Sequence, residues 1–151
     1  MRQLLIFDLD NTLINYGGLT SIAWHKTTKK VLNELNIDYN FNQLADVIVE
    51  INDAIWNDEN KRPKGSFSYN DLRKTICFQA ITLCKLNHPD LVSKLVMNYD
   101  TCKKECVYVF EDVKETLIQL KEKGYLLALL TNGASIYQRE KLKRFDLERY
   151  F

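Results

Sequence analysis

Apolar residues fall along this chain in two ways, as short unbroken runs and as longer stretches with helical spacing. The run from Gln3 to Leu9 is too short for a typical helix and breaks into Asp10-Asn11-Thr12. The run from Tyr125 to Thr131 ends in the same manner, at Asn132-Gly133. Both patterns predict parallel strands covered on both faces. Between about Glu111 and Lys123, Val113, Leu117 and Leu120 share one helical face. Gly124 follows Lys121 and Lys123, where a C-terminal cap belongs. After Gly133 a further helix takes Ile136, Leu142 and Phe145 as its apolar face. Strand, helix, strand is a βαβ unit, interrupted after its first strand by a long segment.

That segment reads as helical throughout. Ile22, Val31, Leu32 and Leu35 give a loose apolar face that stops at Asn36. Phe41, Leu44, Val47, Ile48, Ile51, Ile55 and Trp56 follow amphipathic spacing closely. A polar loop from Asn57 to Ser66 carries Lys61, Arg62 and Lys64, read as solvated charges. Ser68, three residues before Asp71, predicts a helix start, with Leu72, Ile76, Ala80 and Leu83 along one face. Asn87-His88-Pro89 breaks that helix, and Leu91, Leu95, Tyr99, Cys102 and Cys106 carry another. Four such faces can close into a small bundle. The pattern therefore predicts an α/β domain from residues 1–16 and 107–151, with a helical domain inserted at 17–106.

Composition narrows the function classes. With 21 basic and 20 acidic residues, a net charge of +1 gives the chain no general attraction for nucleic acid or an anionic membrane. Only 5 Gly and 2 Pro among 151 residues argue against a turn-rich all-β fold. The apolar start stops at Asp8, too short for a signal peptide, and no later run approaches the about 18–20 residues that span a bilayer. A cytoplasmic location is expected, with Cys77, Cys84, Cys102 and Cys106 as reduced thiols. A metal site from Cys102 and Cys106 with His88 or Cys84 is the weaker alternative, because the close pair usual in zinc sites is missing.

The candidate chemistry sits at Phe7-Asp8-Leu9-Asp10-Asn11-Thr12-Leu13. Alternation turns Leu9 to one face, so Asp8 and Asp10 can both approach the strand's C-terminal end, where α/β sheets bind ligands. One carboxylate there can attack an electrophile while the second protonates the leaving group. A strand ending in ordinary turn residues is the plainer alternative.

This motif resembles the first signature of the haloacid dehalogenase superfamily, an apolar strand ending in D-x-D-x-T/V-L/V. Leu129-Leu130-Thr131-Asn132-Gly133 resembles its second signature, and the inserted helices resemble its C1 cap. The resemblance implies a Rossmann-like core with a helical cap, Asp8 as a nucleophile that becomes a phosphoaspartate, and Asp10 as general acid and then base. It implies Mg²⁺ held by the Asp8 carboxylate and the Asp10 backbone carbonyl. Thr131 would donate to a phosphoryl oxygen, with backbone N–H groups at Asn132 and Gly133 completing the cradle. The acid at Asp10 favours phosphoryl transfer over dehalogenation, because an alkoxide leaving group needs a proton and a halide does not.

The family's third and fourth motifs, a Lys and an acidic pair, have no counterpart in the sequence, and Lys141 and Lys143 read as surface charges. The expectation is therefore a truncated phosphatase of small phosphomonoesters, with nucleotide 5′-monophosphates among the candidates. A phosphoglucomutase-type phosphotransferase and a catalytically incomplete binding protein are the alternatives. Trp56, Gly65 and Leu72-Arg73 resemble the cap of pyrimidine-nucleotide phosphatases, with Trp56 and Tyr69 placed to stack on a base and Arg73 to meet an anion. The plainer reading makes Trp56 the end of an apolar stripe. Asn15 to Gly18 and Cys106 to Val109 resemble the two cap hinges. With two strands alone, the sheet is expected to gain its missing edge by self-association or from a C-terminal continuation.

Overall fold

A computed structural model describes residues 3–62 and 68–151. Pro63 to Phe67, with Lys64 and Gly65 of the sequence reading, lie outside the described residues. The chain divides into two compact units, one from residues 1–18 and 107–151 and one from Leu19–Cys106.

In the first unit, β1 (Leu4–Phe7) pairs in parallel with β4 (Leu126–Leu129). The register sets Leu5 beside Leu127 and Phe7 beside Leu129. Beyond the ladder, the Leu130 N–H donates to the Phe7 carbonyl at 2.8 Å, which carries the pairing to the edge of the signature loops. Both strands are shorter than their apolar runs. Their burial also alternates: Leu127 is buried, whereas Leu4, Ile6 and Leu126 are exposed. The expected cover on both faces is thus absent among the described residues. A run apolar on both faces hides the period of two that burial reveals.

The crossover helix α5 (Val113–Glu122) buries Val113 and Leu117 as its spacing predicts. Gly124 closes it at φ +87, a left-handed conformation that suits glycine. The last helix of this unit, α6 (Ser135–Arg144), departs from its predicted face. Leu142 is buried as predicted, but Ile136 is exposed and Gln138 is buried instead. A short ribbon not foreseen from the pattern joins β2 (Ile14–Asn15) to β3 (Tyr108–Val109) in antiparallel register. Residues 106–109 and 15–18, expected as hinges, therefore include paired backbone.

The second unit is a four-helix bundle of α1 (Thr20–Glu34), α2 (Phe41–Asn57), α3 (Tyr69–Leu83) and α4 (Leu91–Cys106). Asn40 caps α2, its side chain accepting from the N–H groups of Asn42 and Gln43, and Ser68 caps α3 through the Asp71 N–H at 3.2 Å. The core gathers Trp24, Val31, Leu44, Ile48, Ile76, Leu91 and Leu95, with Trp24 stacked on Tyr99 at 4.2 Å between ring centroids. Two predicted positions fail: Ile22 and Leu83 point to solvent. On α1 the inward face is instead partly polar. Thr27 and Thr28 are fully buried, and their hydroxyls donate to the carbonyls of Ala23 and Trp24 at 2.7 and 3.0 Å. Those bonds satisfy the hydroxyls locally, so an apolar pattern search misses them.

The four cysteines are free thiols, and among the described residues no group of three His, Cys, Asp or Glu side chains could hold a metal. No helix of the described residues is long and apolar enough to cross a membrane. Burial pushes the Cys77 thiol up to about 12. At pH 8 the folded protein should therefore resist alkylation at Cys77 while Cys84 and Cys106 react, as peptide mass spectrometry would show. Rapid native-state labelling of Cys77 would contradict that burial.

Gly124 supplies a second test. A Cβ there meets no atom within 4 Å, so Gly124→Ala reports conformational strain alone. It should cost about 1 kcal/mol in urea unfolding. Gly18→Ala, with Asn15 Oδ1 at 3.8 Å from the added carbon, should stay within about 0.5 kcal/mol of the parent.

Candidate active site

The site is built on a turn. Leu9 follows β1 and is fully buried, and its carbonyl receives the N–H groups of Leu13 and Ile14 at 3.0 and 3.1 Å. Asn11 takes a left-handed φ of 65, and its N–H reaches the Ile14 carbonyl at 2.7 Å. The buried Leu9 pins the reversal, and the two acids flank it. Asp8 is exposed, and Asp10 is partly buried with its side chain 25% accessible. The Asn11 side chain then organises the next loop, its Oδ1 accepting from the N–H groups of Tyr16 and Gly17 at 3.2 and 2.6 Å. A Cβ at Gly17 would lie 2.5 Å from Asn11 Nδ2, so that approach requires glycine.

Parallel pairing delivers the second signature to the same edge. Thr131 lies just past Leu130, whose N–H is bonded to Phe7, and it is joined to Asp10 through one side chain. Gln138 Nε2 donates to Asp10 Oδ2 at 3.2 Å and to Thr131 Oγ1 at 3.1 Å. One turn along α6, Lys141 Nζ donates to Asp10 Oδ1 and Oδ2 at 2.7 and 2.8 Å. The ammonium also lies 3.7 Å from the centroid of the Tyr16 ring. Asp10 thus meets three donor contacts from two side chains.

Two sequence expectations change here. Lys141 is not a solvated surface charge: its side chain is 18% accessible and ion-paired with Asp10. Lys143 is exposed, as expected. Gly133 does leave room for a close approach, but the group that fills it is Gln138. A Cβ at Gly133 would stand 1.9 Å from Gln138 Nε2. Asn132 and Gly133 are themselves exposed.

Gln138 and Lys141 escape sequence reading because polar residues on a helix are assumed to face water. The available signal was the poverty of apolar residues on α6, which leaves polar side chains to fill its inward face. Their spacing of i and i+3 places them together.

The helical unit carries a separate cavity of about 320 Å³, lined in part by Trp24, Trp56, Tyr69, Arg73, Tyr99 and Lys103. It gathers the three residues singled out for ligand recognition, Trp56, Tyr69 and Arg73. Arg73 is already engaged, with Asp100 at 3.0 Å and its guanidinium 4.6 Å from the Tyr99 ring. Lys61 pairs with Asp58, and Arg62 Nε donates to the Trp56 carbonyl, so neither is a purely solvated charge.

The model of the haloacid dehalogenase-like hydrolase family matches residues 5–151. The glyceraldehyde 3-phosphate phosphatase of Methanothermobacter thermautotrophicus is 26% identical over 151 residues, 100% of this chain and 61% of that protein. The N-acylneuraminate-9-phosphatase of Rattus norvegicus is 30% identical over 149 residues, 97% of this chain and 58% of its own length. A haloacid dehalogenase-type hydrolase of Bacillus subtilis, solved bound to magnesium, superposes with a TM-score of 0.61 at 19% identity, covering 99% of this chain and 61% of that one. The chain spans about three-fifths of the length of the curated relatives it matches.

The packing of Gln138 on Gly133 gives a direct test. Gly133→Ala should destabilise the chain by about 1–3 kcal/mol through the forced displacement of Gln138. In a Gln138→Ala background the same change should cost at least about 1 kcal/mol less, measured as a double-mutant cycle in urea. Additive losses would show that the glycine serves some other contact.

Proposed function

Because the chain belongs to the haloacid dehalogenase-like hydrolase family, we propose that it forms the nucleophile-bearing part of a phosphatase of small phosphomonoesters. The observation that carries the reading is the joining of both signatures at one sheet edge, through the contacts of Gln138 to Asp10 and Thr131. The relatives named for activity on glyceraldehyde 3-phosphate and N-acylneuraminate 9-phosphate both act on small phosphorylated compounds and support the same class.

In this reading an Asp8 carboxylate oxygen attacks phosphorus. The new bond joins phosphorus to Asp8 while the bond from phosphorus to the leaving oxygen breaks, and Asp10, entering this step as the neutral acid, gives that oxygen its proton. Water then attacks the phosphoaspartate. Asp10 takes the proton back, the bond to Asp8 breaks, and phosphate leaves. Thr131 offers a hydroxyl to a phosphoryl oxygen. The Asp8 carboxylate and Asp10 backbone carbonyl are hard oxygen donors of the kind Mg²⁺ takes alongside water and substrate phosphate. The ion would supply charge to offset repulsion between the phosphate dianion and Asp8. Asp8, exposed at the end of β1, is accessible for both roles.

A panel of triose, sugar and nucleoside 5′-phosphates, with and without Mg²⁺, tests the class. Asp8→Asn should remove turnover on every substrate while leaving the unfolding midpoint within experimental error of the parent. Asp10→Asn should lose about 10²–10⁴-fold on alkyl phosphates and far less on p-nitrophenyl phosphate, whose leaving group departs without a proton. The proposal is falsified if Asp8→Asn retains the parent's turnover.

A further inference from the structure

We infer that the cavity of the helical unit binds a small organic anion built on a flat, unsaturated ring. The inference goes beyond the proposed reaction, because it uses neither Asp8 nor Asp10. Three observations carry it together. First, the space is of ligand size. Its volume of about 320 Å³ falls within the about 300–1,000 Å³ typical of small-molecule sites. Packed interiors leave few voids larger than a water molecule, and the same four helices bury Leu44, Ile48 and Leu95 with no exposed area. A space this large beside such a core needs another reason. Tyr69 lines it and is 59% exposed, so the space is reached from solvent on that side.

Second, each helix brings an aromatic ring to the wall: Trp24 from α1, Trp56 from α2, Tyr69 from α3 and Tyr99 from α4. These include both tryptophans of the chain. Part of the wall is fixed before any ligand arrives. Trp24 and Tyr99 are buried with ring centroids 4.2 Å apart, and the Arg73 guanidinium lies 4.6 Å from the Tyr99 ring. Aromatic faces and edges pair best with another flat ring, and a wall already in place loses little freedom on binding. Trp56 ends an apolar stripe in the sequence, and the cavity is what that end borders.

Third, the charge on the wall has one sign. Arg73 and Lys103 line the cavity, and none of its described lining residues is acidic. Arg73 is oriented by Asp100, with two guanidinium nitrogens each 3.0 Å from a carboxylate oxygen. The two charges of that pair are unequally screened. The Arg73 side chain is 19% accessible and that of Asp100 60%, so water weakens the field of the carboxylate more than that of the guanidinium. A void left by imperfect packing has no reason to gather two cations, whose desolvation is unfavourable unless a counter-charge meets them. The field inside the cavity therefore selects an anion, and the rings select its flat body.

The test uses the whole chain and three probes: 2-naphthoate, its neutral amide, and its saturated analogue decahydro-2-naphthoate. Because both tryptophans line the cavity, the two indole N–H signals in an NMR spectrum report on it alone. Titration with 2-naphthoate should shift both signals saturably, with a Kd below about 1 mM. The amide, which lacks the charge, and the decahydro acid, which lacks the flat ring, should each bind at least about tenfold more weakly. Absence of a saturable shift, or equal affinity for all three probes, would overturn the inference.

Two variants locate the probe. Arg73→Gln and Lys103→Gln should each weaken 2-naphthoate at least about fivefold while changing the affinity for the amide by less than about twofold. Lys103→Gln keeps the test decisive if loss of the Arg73–Asp100 pair disturbs the fold. Full affinity for 2-naphthoate in both variants would place the anion elsewhere and overturn the inference. None of these readouts involves turnover, so the phosphatase reading can fail in its own assay without touching this one, and the reverse holds.

Discussion

Parallel pairing of Leu4–Phe7 with Leu126–Leu129 is the constraint on which the candidate site depends. It brings together two segments separated by most of the chain, and closing a flexible loop of that length would cost about 4 kcal/mol beyond a constant. The intervening residues reduce that burden by folding themselves. The helical unit has its own core, from Trp24 on α1 to Leu95 on α4, and residues 14–15 pair with 108–109 where the chain leaves and returns. Most of the separation is thus spanned by structure with contacts of its own. Without the pairing, Thr131 would have no fixed relation to Asp8 or Asp10.

At the end of those strands, placement passes from backbone to side chains. Leu9 is buried and forces the chain to reverse, and the reversal leaves acids on either side of it. Asp10 then draws in α6 through Gln138 and Lys141, and Gly133 gives the amide its space. The inward face of α6 is largely polar, because a carboxylate and a hydroxyl are what it covers. An apolar face there would have left Asp10 partly buried without donors, a penalty of several kcal/mol for a charged group. Asp10, Tyr16, Thr131, Gln138 and Lys141 consequently form one polar cluster.

The sequence by itself was sufficient for the features that repeat or that chemistry makes rare. Amphipathic spacing located each helix, Ser68 and Gly124 marked ends that the structure shares, and Asp8-Leu9-Asp10 with Thr131 marked the sheet edge, because two acids bracketing one apolar residue are uncommon without a task. Tertiary structure decided the rest. Only packing shows that Ile22, Leu83 and Ile136 face solvent while Thr27, Thr28 and Gln138 are buried. The reason is physical: a residue's burial depends on what lies opposite it, and hydrogen bonds let a polar side chain be buried once its partners are in place. Lys141 is the clearest case. Its charge is plain in the sequence, yet its partner is 131 positions away, and only β1–β4 pairing brings α6 to Asp10.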